Sequence, residues 1–409
     1  MTLDHEVQTG AESRHALRNR PRRVLFVFAW LVVGGEETEV RLLAKHLDPS
    51  RYRLDVVACL QRPGMPEQTH EQLAALGITV DRTPYRFSFD ETVAYLAQRL
   101  PVYDLVVACQ AVPDIYPALE RCPGGPPLIE HGGLVVEALT GPKHLTARYV
   151  GVCQAIRDAA VSRMLDRPHH ALVIPSMVDL DEFHPGDREI IRREWGVDAT
   201  APVVGWVGRL DRKKRVEDVI RAFAAIATSW PEARLAIVGG PDAFMPEYAD
   251  ELRRLARELG FAGRVLFLGD RPDVPRLMAG FDVLVWLSED EGMPHVLIEA
   301  GAAAVPVVAT PDVCVPDVVM DGETGLLVPD RDPATAARAL DRLLADPMLR
   351  RYLGVNFRQQ VEQQWSAAAI VPRWEALFDE VIGEREDARR QEQTDGSVSM
   401  EPPSTGTSL

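Results

Sequence analysis

Two glutamates that flank a tight turn mark a candidate ligand site. Glu291 and Glu299 lie on either side of a Gly-Met-Pro sequence, directly after the apolar run Asp282–Leu287. Pro294 suits the first helical position, because its φ is fixed and its missing N–H would be unpaired there. Free N–H groups at a helix start attract anions. The pattern predicts a site for a ligand with phosphates at one end and hydroxyls at the other; an ordinary acidic loop before a surface helix is the alternative.

Two basic residues follow another predicted strand, Val203–Val207. Arg209 offers a planar fork that matches phosphate, and Lys214 offers a mobile point charge. In a cleft of an acidic protein, this pair suits a diphosphate. A solvated run of charges is the usual alternative, and we assign Arg212 and Lys213 to it.

Two further features follow strands nearer the N-terminus. Gly34 and Gly35 come after the strand Arg23–Ala29 and begin a helix, where only glycine lets the backbone approach a ligand closely. His131 follows the strand Pro127–Glu130, where an imidazole donates to a hydroxyl or titrates near neutrality. A plain strand–helix turn and a histidine that caps a loop are the alternatives. The absence of G-x-G-x-x-G argues against a nicotinamide cofactor.

The elements that position these residues are short, continuous apolar runs alternating with helices. Such runs are typical of parallel strands buried on both faces, so the sequence predicts doubly wound α/β domains. The alternation stops at the proline-containing segment Ile174–Gly186 and then restarts. Two such domains bind ligands in the cleft at the carboxyl ends of their strands. The predicted parts are a flexible N-terminus (1–20), an N-terminal domain (21–175), a hinge (176–186), a C-terminal domain (187–365), a helix packing back toward the N-terminal domain (366–383) and a disordered tail (384–409).

Composition excludes several classes of partner. The 409 residues carry a formal charge of −16, which argues against nucleic acid and anionic membranes. No apolar run reaches the roughly 18 residues of a membrane span, and the N-terminus lacks a signal-peptide layout. The five cysteines form no C-x-x-C pair, so we expect buried thiols in a reducing compartment and neither a disulfide nor a zinc framework. We therefore expect a cytoplasmic protein with at most weak membrane association.

Six motifs occur in order along the chain. They are G-G-E-E at Gly34–Glu37, E-H-G-G around His131, I-P-S-M-V-D-L-D-E-F-H-P at Ile174–Pro185, G-R-L-x-x-x-K at Gly208–Lys214, E-x(7)-E at Glu291–Glu299 and D-G-E-T-G-L-L-V at Asp321–Val328. On these motifs, residues 23–382 resemble the family-4 retaining glycosyltransferases of GT-B architecture, in which two Rossmann-like domains face each other across a cleft.

The resemblance implies an activity. It implies metal-independent transfer of a hexosyl or N-acetylhexosaminyl group from a nucleotide-diphosphate sugar, UDP- or GDP-linked, to an acceptor hydroxyl with retention of configuration. No cofactor is implied, since the nucleotide sugar is a co-substrate, and the first domain would bind the acceptor. The acceptor itself, a small molecule, a glycan or a lipid-linked group in glycoconjugate or natural-product biosynthesis, and the oligomeric state are not readable.

The resemblance also implies roles for individual residues. Arg209 and Lys214 would neutralise the diphosphate, Glu291 would contact the donor sugar, Glu299 the ribose, and His131 would approach the sugar from the opposite domain. Arg271 is a candidate for the base end of the nucleotide. Further binding residues would be Gly34, Gly35, Gly292, Met293, Pro294, His295, Val296 and Leu297.

Departures from the family pattern leave alternatives open. Ser176-Met177 replaces Asn-Gly at the hinge, Val313-Cys314 replaces a glycine pair, and Arg215 replaces a glycine after the motif lysine. These changes bear on donor and acceptor specificity. A nucleotide-sugar epimerase of similar fold and a non-catalytic nucleotide-sugar binding protein are the rival hypotheses, and a glycosidase pair is disfavoured by the depth of Glu299 in its helix.

Overall fold

A computed structural model describes residues 20–110, 112–242 and 244–398. The predicted flexible N-terminus, apart from residue 20, and the tail beyond residue 398 lie outside the described residues. Every helix in the described ranges is too short or too polar to serve as a membrane-spanning segment.

The first sheet of the described chain has seven strands in the order β3-β2-β1-β4-β5-β6-β7, and every neighbouring pair is parallel. Its central strands are buried on both faces, as their continuous apolar sequences predict. The strands are Arg22–Trp30 (β1), Tyr52–Leu60 (β2), Val80–Asp81 (β3), Leu105–Cys109 (β4), Leu128–Gly132 (β5), Thr146–Gly151 (β6) and Ala171–Val173 (β7).

The second sheet of the described chain has six parallel strands in the order β10-β9-β8-β11-β12-β13. In both sheets the strand order reverses beside the first strand of the domain, which is where doubly wound folds bind their ligands. The predicted fold class is therefore confirmed for both domains. The strands are Val203–Val207 (β8), Arg234–Val238 (β9), Val265–Gly269 (β10), Val283–Trp286 (β11), Val307–Ala309 (β12) and Gly325–Leu327 (β13).

Helices cover both sheets. The α-helices are Gly35–His46 (α1), Gln68–Ala75 (α2), Phe89–Arg99 (α3), Ile115–Glu120 (α4), Val135–Leu139 (α5), Gln154–Val161 (α6), Arg188–Glu194 (α7), Val216–Ile226 (α8), Glu247–Glu258 (α9), Val274–Met278 (α10), His295–Ala302 (α11), Val315–Val318 (α12), Pro333–Ala345 (α13), Pro347–Gln364 (α14) and Ala367–Val398 (α15). Single 3₁₀ turns lie at Thr83–Arg86, Leu100–Val102, Pro168–His170, Arg212–Lys214 and Ala262–Arg264.

The chain crosses between the domains twice, side by side. The two crossings meet in a bridge between Val178 and Ser366, where the Val178 N–H donates to the carbonyl of Trp365. After the second crossing, α15 packs on the first sheet, with Trp374 and Phe378 in one hydrophobic cluster with residues of β1 and β2. The last helix therefore completes the core of the first domain.

The predicted disorder from residue 384 onward is wrong for the described residues. Helix α15 continues to Val398. Its polar continuation is held by the first domain: the Arg148 guanidinium donates to the carboxylates of Glu380 and Glu384, and Arg385 donates to the carbonyl of Gly124. The charged residues whose composition predicted disorder include several that make ionic or hydrogen-bonding contacts with distant residues of the first domain.

A disulfide joins Cys153 to Cys314, which corrects the expectation of buried thiols alone. Cys153 precedes α6 in the first domain and Cys314 precedes α12 in the second, and their Cα atoms are 5.7 Å apart. A separation of 161 residues gives no local signal, so only the packing of the two domains reveals the pair. Cys59, Cys109 and Cys122 remain free thiols.

Candidate active site between the two domains

The acidic loop of the second domain joins β11 to α11. Helix α11 begins at His295, one residue later than predicted, because Pro294 adopts an extended ψ of 107° and occupies the cap position. The Glu291 N–H donates to the carboxylate of Asp312 over 2.7 Å, which fixes the loop. Asp312 was not among the predicted residues, since nothing in its sequence position links it to Glu291.

Lys214 and Glu291 form an ion pair at the centre of this loop. Lys214 Nζ lies 2.8 Å from Glu291 Oε1, and Lys213 Nζ lies 3.8 Å from the same oxygen. Burial lowers the pKa of Lys214, and the Glu291 carboxylate opposes that shift. Lys213 is therefore part of the site and not only a solvated charge as predicted.

Arg209 lies beside this pair, after β8. Its Nη1 donates to the buried carboxylate of Asp242 over 3.0 Å. Arg215 adopts a left-handed conformation with φ 49°, which glycine adopts without steric cost. The Arg215 guanidinium holds that conformation through Asp218 and lies 3.5 Å from Glu289. The departure from the family glycine is thus tolerated by local ion pairing.

The remaining predicted residues of α11 and its approach contribute in two ways. Met293 and Leu297 have side chains in the hydrophobic core, so only their backbone groups can face a ligand. Glu299 lies in the middle of α11, where burial raises the pKa of its carboxyl and the nearby His295 and Arg41 oppose the rise. Val296 is partly buried against the same core.

His131 reaches the cleft from the first domain. It lies within β5, opposite Cys109 of β4 and Val150 of β6, because the strand extends to Gly132 and not only to Glu130. Its ring meets the edge of Trp374 at a centroid distance of 5.4 Å. Burial, with a contribution from His295, lowers the pKa of His131 to about 4. The imidazole is therefore neutral at pH 7 and does not titrate near neutrality as predicted.

Glycines mark where the two domains touch. A Cβ atom on Gly35 would lie 2.9 Å from Nδ1 of His295, and one on Gly292 would overlap the carbonyl oxygen of Gly133. A Cβ atom on Gly34 would lie 2.6 Å from the Glu37 carboxylate of its own helix. At Gly35 and Gly292, the close approach in this structure is of one domain to the other.

Arg271 lies apart from this cluster. It makes two hydrogen bonds of 2.8 Å to Asp273, and a cavity of about 480 Å³ lined by Pro272, Asp273 and His184 lies beside it. A second cavity, of about 560 Å³, lies behind the hinge near Asp179. Both lie outside the cluster of Lys214 and Glu291.

The first domain adds residues that the sequence did not single out. Glu36 Oε1 lies 3.6 Å from His131 Nδ1, and Glu39 Oε2 lies 3.5 Å from His295 Nε2. Ligand atoms of Glu36, Cys109 and His131 lie within 4.8 Å of one another, and this trio is of a kind that can hold a metal ion. The run of three glutamates in Gly34–Glu39 was the available signal.

Residues 187–360 match the family model for glycosyl transferases group 1. The second domain is therefore similar to the group 1 glycosyltransferase domains. Among curated proteins, the chain is 32% identical over 240 residues to the N-acetyl-alpha-D-glucosaminyl L-malate synthase of Bacillus anthracis, which covers 57% of this chain and 61% of that protein. It is 38% identical over 207 residues to the D-inositol 3-phosphate glycosyltransferase of Corynebacterium jeikeium strain K411. This match covers 48% of this chain and 49% of that protein. The matches thus span about half the length of these relatives.

Solved structures share the two-domain fold of this chain. HepE of Anabaena, solved with UDP and glucose, superposes with a TM-score of 0.77 at 23% identity and covers 88% of this chain and 100% of its own. WaaG, a glycosyltransferase of lipopolysaccharide biosynthesis, has a TM-score of 0.67 at 18% identity, with 88% and 99% covered. The GT-B architecture predicted from the motifs is confirmed.

Proposed function

We propose that the protein transfers a hexosyl or N-acetylhexosaminyl group from a nucleotide-diphosphate sugar to an acceptor hydroxyl, with retention of configuration and without a catalytic metal. The observation that carries the proposal is the pairing of Lys214 with Glu291 beside Arg209, at the carboxyl ends of β8 and β11. This group lies where a doubly wound domain binds its ligand.

The bound diphosphate would replace Glu291 as the partner of Lys214. A diphosphate carries more negative charge than one carboxylate. A lysine and an arginine at this position would stabilise the negative charge that grows on the leaving diphosphate. The released Glu291 carboxylate would then accept a hydrogen bond from a hydroxyl of the donor sugar. Neutral His131 would donate to or accept from the sugar on the other side.

The reaction breaks the bond between the anomeric carbon and the phosphate oxygen, and the electron pair leaves with the diphosphate. The acceptor oxygen forms its bond to the anomeric carbon on the same face, and its proton passes to a departing phosphate oxygen. In this scheme the protein supplies positioning and charge stabilisation rather than a covalent nucleophile.

Donor recognition would continue along α11. Glu299 would bind the ribose hydroxyls, and the N–H groups at the start of the helix would bind phosphate. Arg271 would lie toward the base. The complexes of HepE with UDP and with UDP-glucose favour a uridine donor over a guanosine donor.

The compartment that the sequence predicts is the cytoplasm, which is reducing. The disulfide between Cys153 and Cys314 weighs against a reducing compartment, because disulfides persist where thiols are oxidised. Peptide mapping of protein purified from its own cells under alkylating conditions would decide between the two compartments.

The test is release of nucleoside diphosphate from a panel of UDP- and GDP-sugars with mixed acceptors, after metal removal by chelation. We expect release with one donor class and a drop of about 100-fold or more in Glu291→Gln and Lys214→Ala. Arg254→Ala, at an exposed position of α9, is the control and keeps full activity.

Three outcomes would contradict the proposal. Epimerised donor without any acceptor would indicate an epimerase, and tight binding of nucleoside diphosphate without turnover would indicate a binding protein. Product of inverted anomeric configuration by NMR would exclude retention.

A further inference from the structure

Helix α1 brings uncompensated carboxylates into the cleft. Glu36 and Glu39 are three positions apart, so they share one helix face, and Glu37 and Glu137 lie nearby. We call these four glutamates the acidic patch. In the described part of the chain, no lysine or arginine nitrogen lies within 4 Å of any of them. By contrast, the buried Glu130 of the same domain is paired with Lys143.

Two members of the acidic patch have structural duties. Glu37 accepts hydrogen bonds from the Val32 N–H and the Gln110 amide, and Glu137 accepts from the N–H groups of Gly133 and Leu134. These bonds fix the loops that line the cleft.

The other two leave oxygens free for a ligand. Glu36 Oε1 and Glu39 Oε1 are buried without a hydrogen-bond partner, and Glu39 as a whole is only 3% exposed. Independently, Nε2 of His131 and Nε2 of His295 are buried without a hydrogen bond, although Glu39 Oε2 lies 3.5 Å from the latter, and His131 is only 4% exposed. Buried polar atoms in folded proteins are nearly always paired. Four orphans contributed by both domains therefore indicate that a polar ligand completes this part of the cleft.

The charge of that ligand follows from its surroundings. Four carboxyl groups lie together here with no lysine or arginine nitrogen within 4 Å in the described residues, so the patch repels further negative charge. Lys143, which is paired with Glu130, acts on Glu137 from the same domain. Arg209 and Lys213 act on the patch from the opposite domain. In the proposed reaction, the donor diphosphate would pair with Arg209, which would reduce the positive charge available to the acidic patch.

We propose that Glu36 and Glu39 bind a protonated amine of the acceptor, which places the acceptor among amino sugars and aminocyclitols. The inference rests on the proposed glycosyl transfer. It differs from what the relatives' names state, since inositol phosphate and malate are anions that the acidic patch would repel. An ammonium group satisfies both free oxygens through its three donors and brings the missing positive charge.

The experiment uses the full-length protein saturated with UDP, or with GDP if that is the nucleotide that binds. Calorimetry compares glucosamine with N-acetylglucosamine, and 2-deoxystreptamine with myo-inositol, at pH 7. In the first pair the amine is either free and charged or acetylated and neutral; in the second pair two charged amines replace hydroxyls and one hydroxyl is absent. We expect at least about tenfold tighter binding of the amine in one pair or both, and no binding of glucose 6-phosphate.

Variants locate the effect. In Glu36→Gln and Glu39→Gln we expect the preference for the amine to fall to about twofold or less, while affinity for the nucleoside diphosphate stays within about twofold. Glu71→Gln, an exposed glutamate of α2 in the same domain, is the control and keeps the preference. Circular dichroism verifies that each variant is folded.

Equal binding of both members of each pair, binding of none of the probes, or binding of the phosphate would overturn the proposal. So would a stoichiometric metal ion in the purified protein that is lost in Cys109→Ser, because Glu36 would then be a metal ligand. Absence of any nucleoside diphosphate binding would instead count against the proposed glycosyl transfer, so the two failures are distinguishable.

Discussion

At the scale of single residues, Lys214 carries a positive charge directly beside Glu291, with its Nζ 2.8 Å from the carboxylate. The spacing of Lys214 from Arg209 predicts a phosphate clamp, whereas Glu291 lies 77 positions further along the chain. The partners Asp242 and Asp312 were not predictable. Each belongs to a different loop, and only the parallel order of the strands brings those loops to one edge of the sheet.

Lys214→Met tests leaving-group stabilisation by removing only the charge of that side chain. We expect kcat to fall about 100- to 1,000-fold, because one electrostatic donor to a developing anion is worth that much. The KM for the donor should change far less. Steady-state kinetics measure both, with Arg254→Met as the matched control. A change confined to KM would mean that Lys214 binds donor and transition state equally.

The buried carboxyl of Glu36 should make the free protein less stable as pH rises. Its pKa is raised on folding, so the folded state binds the proton more tightly than the unfolded state, and stability falls above the unfolded pKa of about 4.3. Glu36→Gln should therefore raise the melting temperature at pH 7.5 by about 2–4 °C and leave it unchanged at pH 4. Thermal unfolding between these pH values measures the difference, and a rise of equal size at pH 4 would exclude titration as its cause.

At the scale of elements, the start of α11 is a close backbone contact between the two domains. Gly292 lies directly against the carbonyl of Gly133 in the other domain, where there is no room for a side chain. The sequence predicted this loop as a site but gave a ligand, not the opposite backbone, as the reason for its glycine. The glycine of a motif indicates that a side chain would not fit there, but the sequence does not show which group occupies the space.

Gly292→Ala should hold the domains apart. We expect kcat/KM to fall about 100-fold, because a misplacement of about 1 Å costs that much, while stability changes little. Kinetics and small-angle scattering with bound UDP measure the two effects. Gly263→Ala, in a 3₁₀ turn with open space around it, is the matched control. Unchanged kinetics in Gly292→Ala would show that catalysis does not need this contact.

Helix α15 was predicted to pack back on the first domain, but its predicted end at residue 383 lies before its observed end at Val398. The apolar face around Trp374 and Phe378 gave the packing, whereas the charged stretch beyond it conceals a helix whose partners, such as Arg148, lie more than 200 residues away. Local composition cannot distinguish a solvated tail from one held by distant ions.

Trp374→Ala should destabilise the first domain by about 3–5 kcal/mol, because it removes a fully buried ring. It also removes the contact that orients His131, so kcat should fall as well. Urea unfolding and kinetics measure the two effects, with Gln391→Ala on the exposed part of α15 as the control. A loss below 1 kcal/mol would mean that α15 does not cover the sheet in solution.

At the scale of the whole molecule, the pair Cys153–Cys314 ties the two domains together across the cleft. A tether of this kind restricts opening of the cleft, which the proposed donor would need in order to enter. Reduction should speed UDP association by about tenfold, since binding that needs a conformational change is slow. Stopped-flow kinetics with and without reductant measure the rate, and Cys314→Ser should equal the reduced protein. Cys122→Ser, which removes a free thiol, is the control. Peptide mapping of the non-reduced protein that finds Cys153 and Cys314 in separate, unlinked peptides would contradict the disulfide.

The cover of the first sheet by α15 has a consequence during synthesis. The strands of that sheet are complete once residue 173 has left the ribosome, but the helix that shields them follows about 200 residues later. At roughly 5–20 residues per second, the nascent chain presents an uncovered apolar face for about 10–40 s. We therefore expect this face to be open to chaperones or to aggregation until the last helix is made.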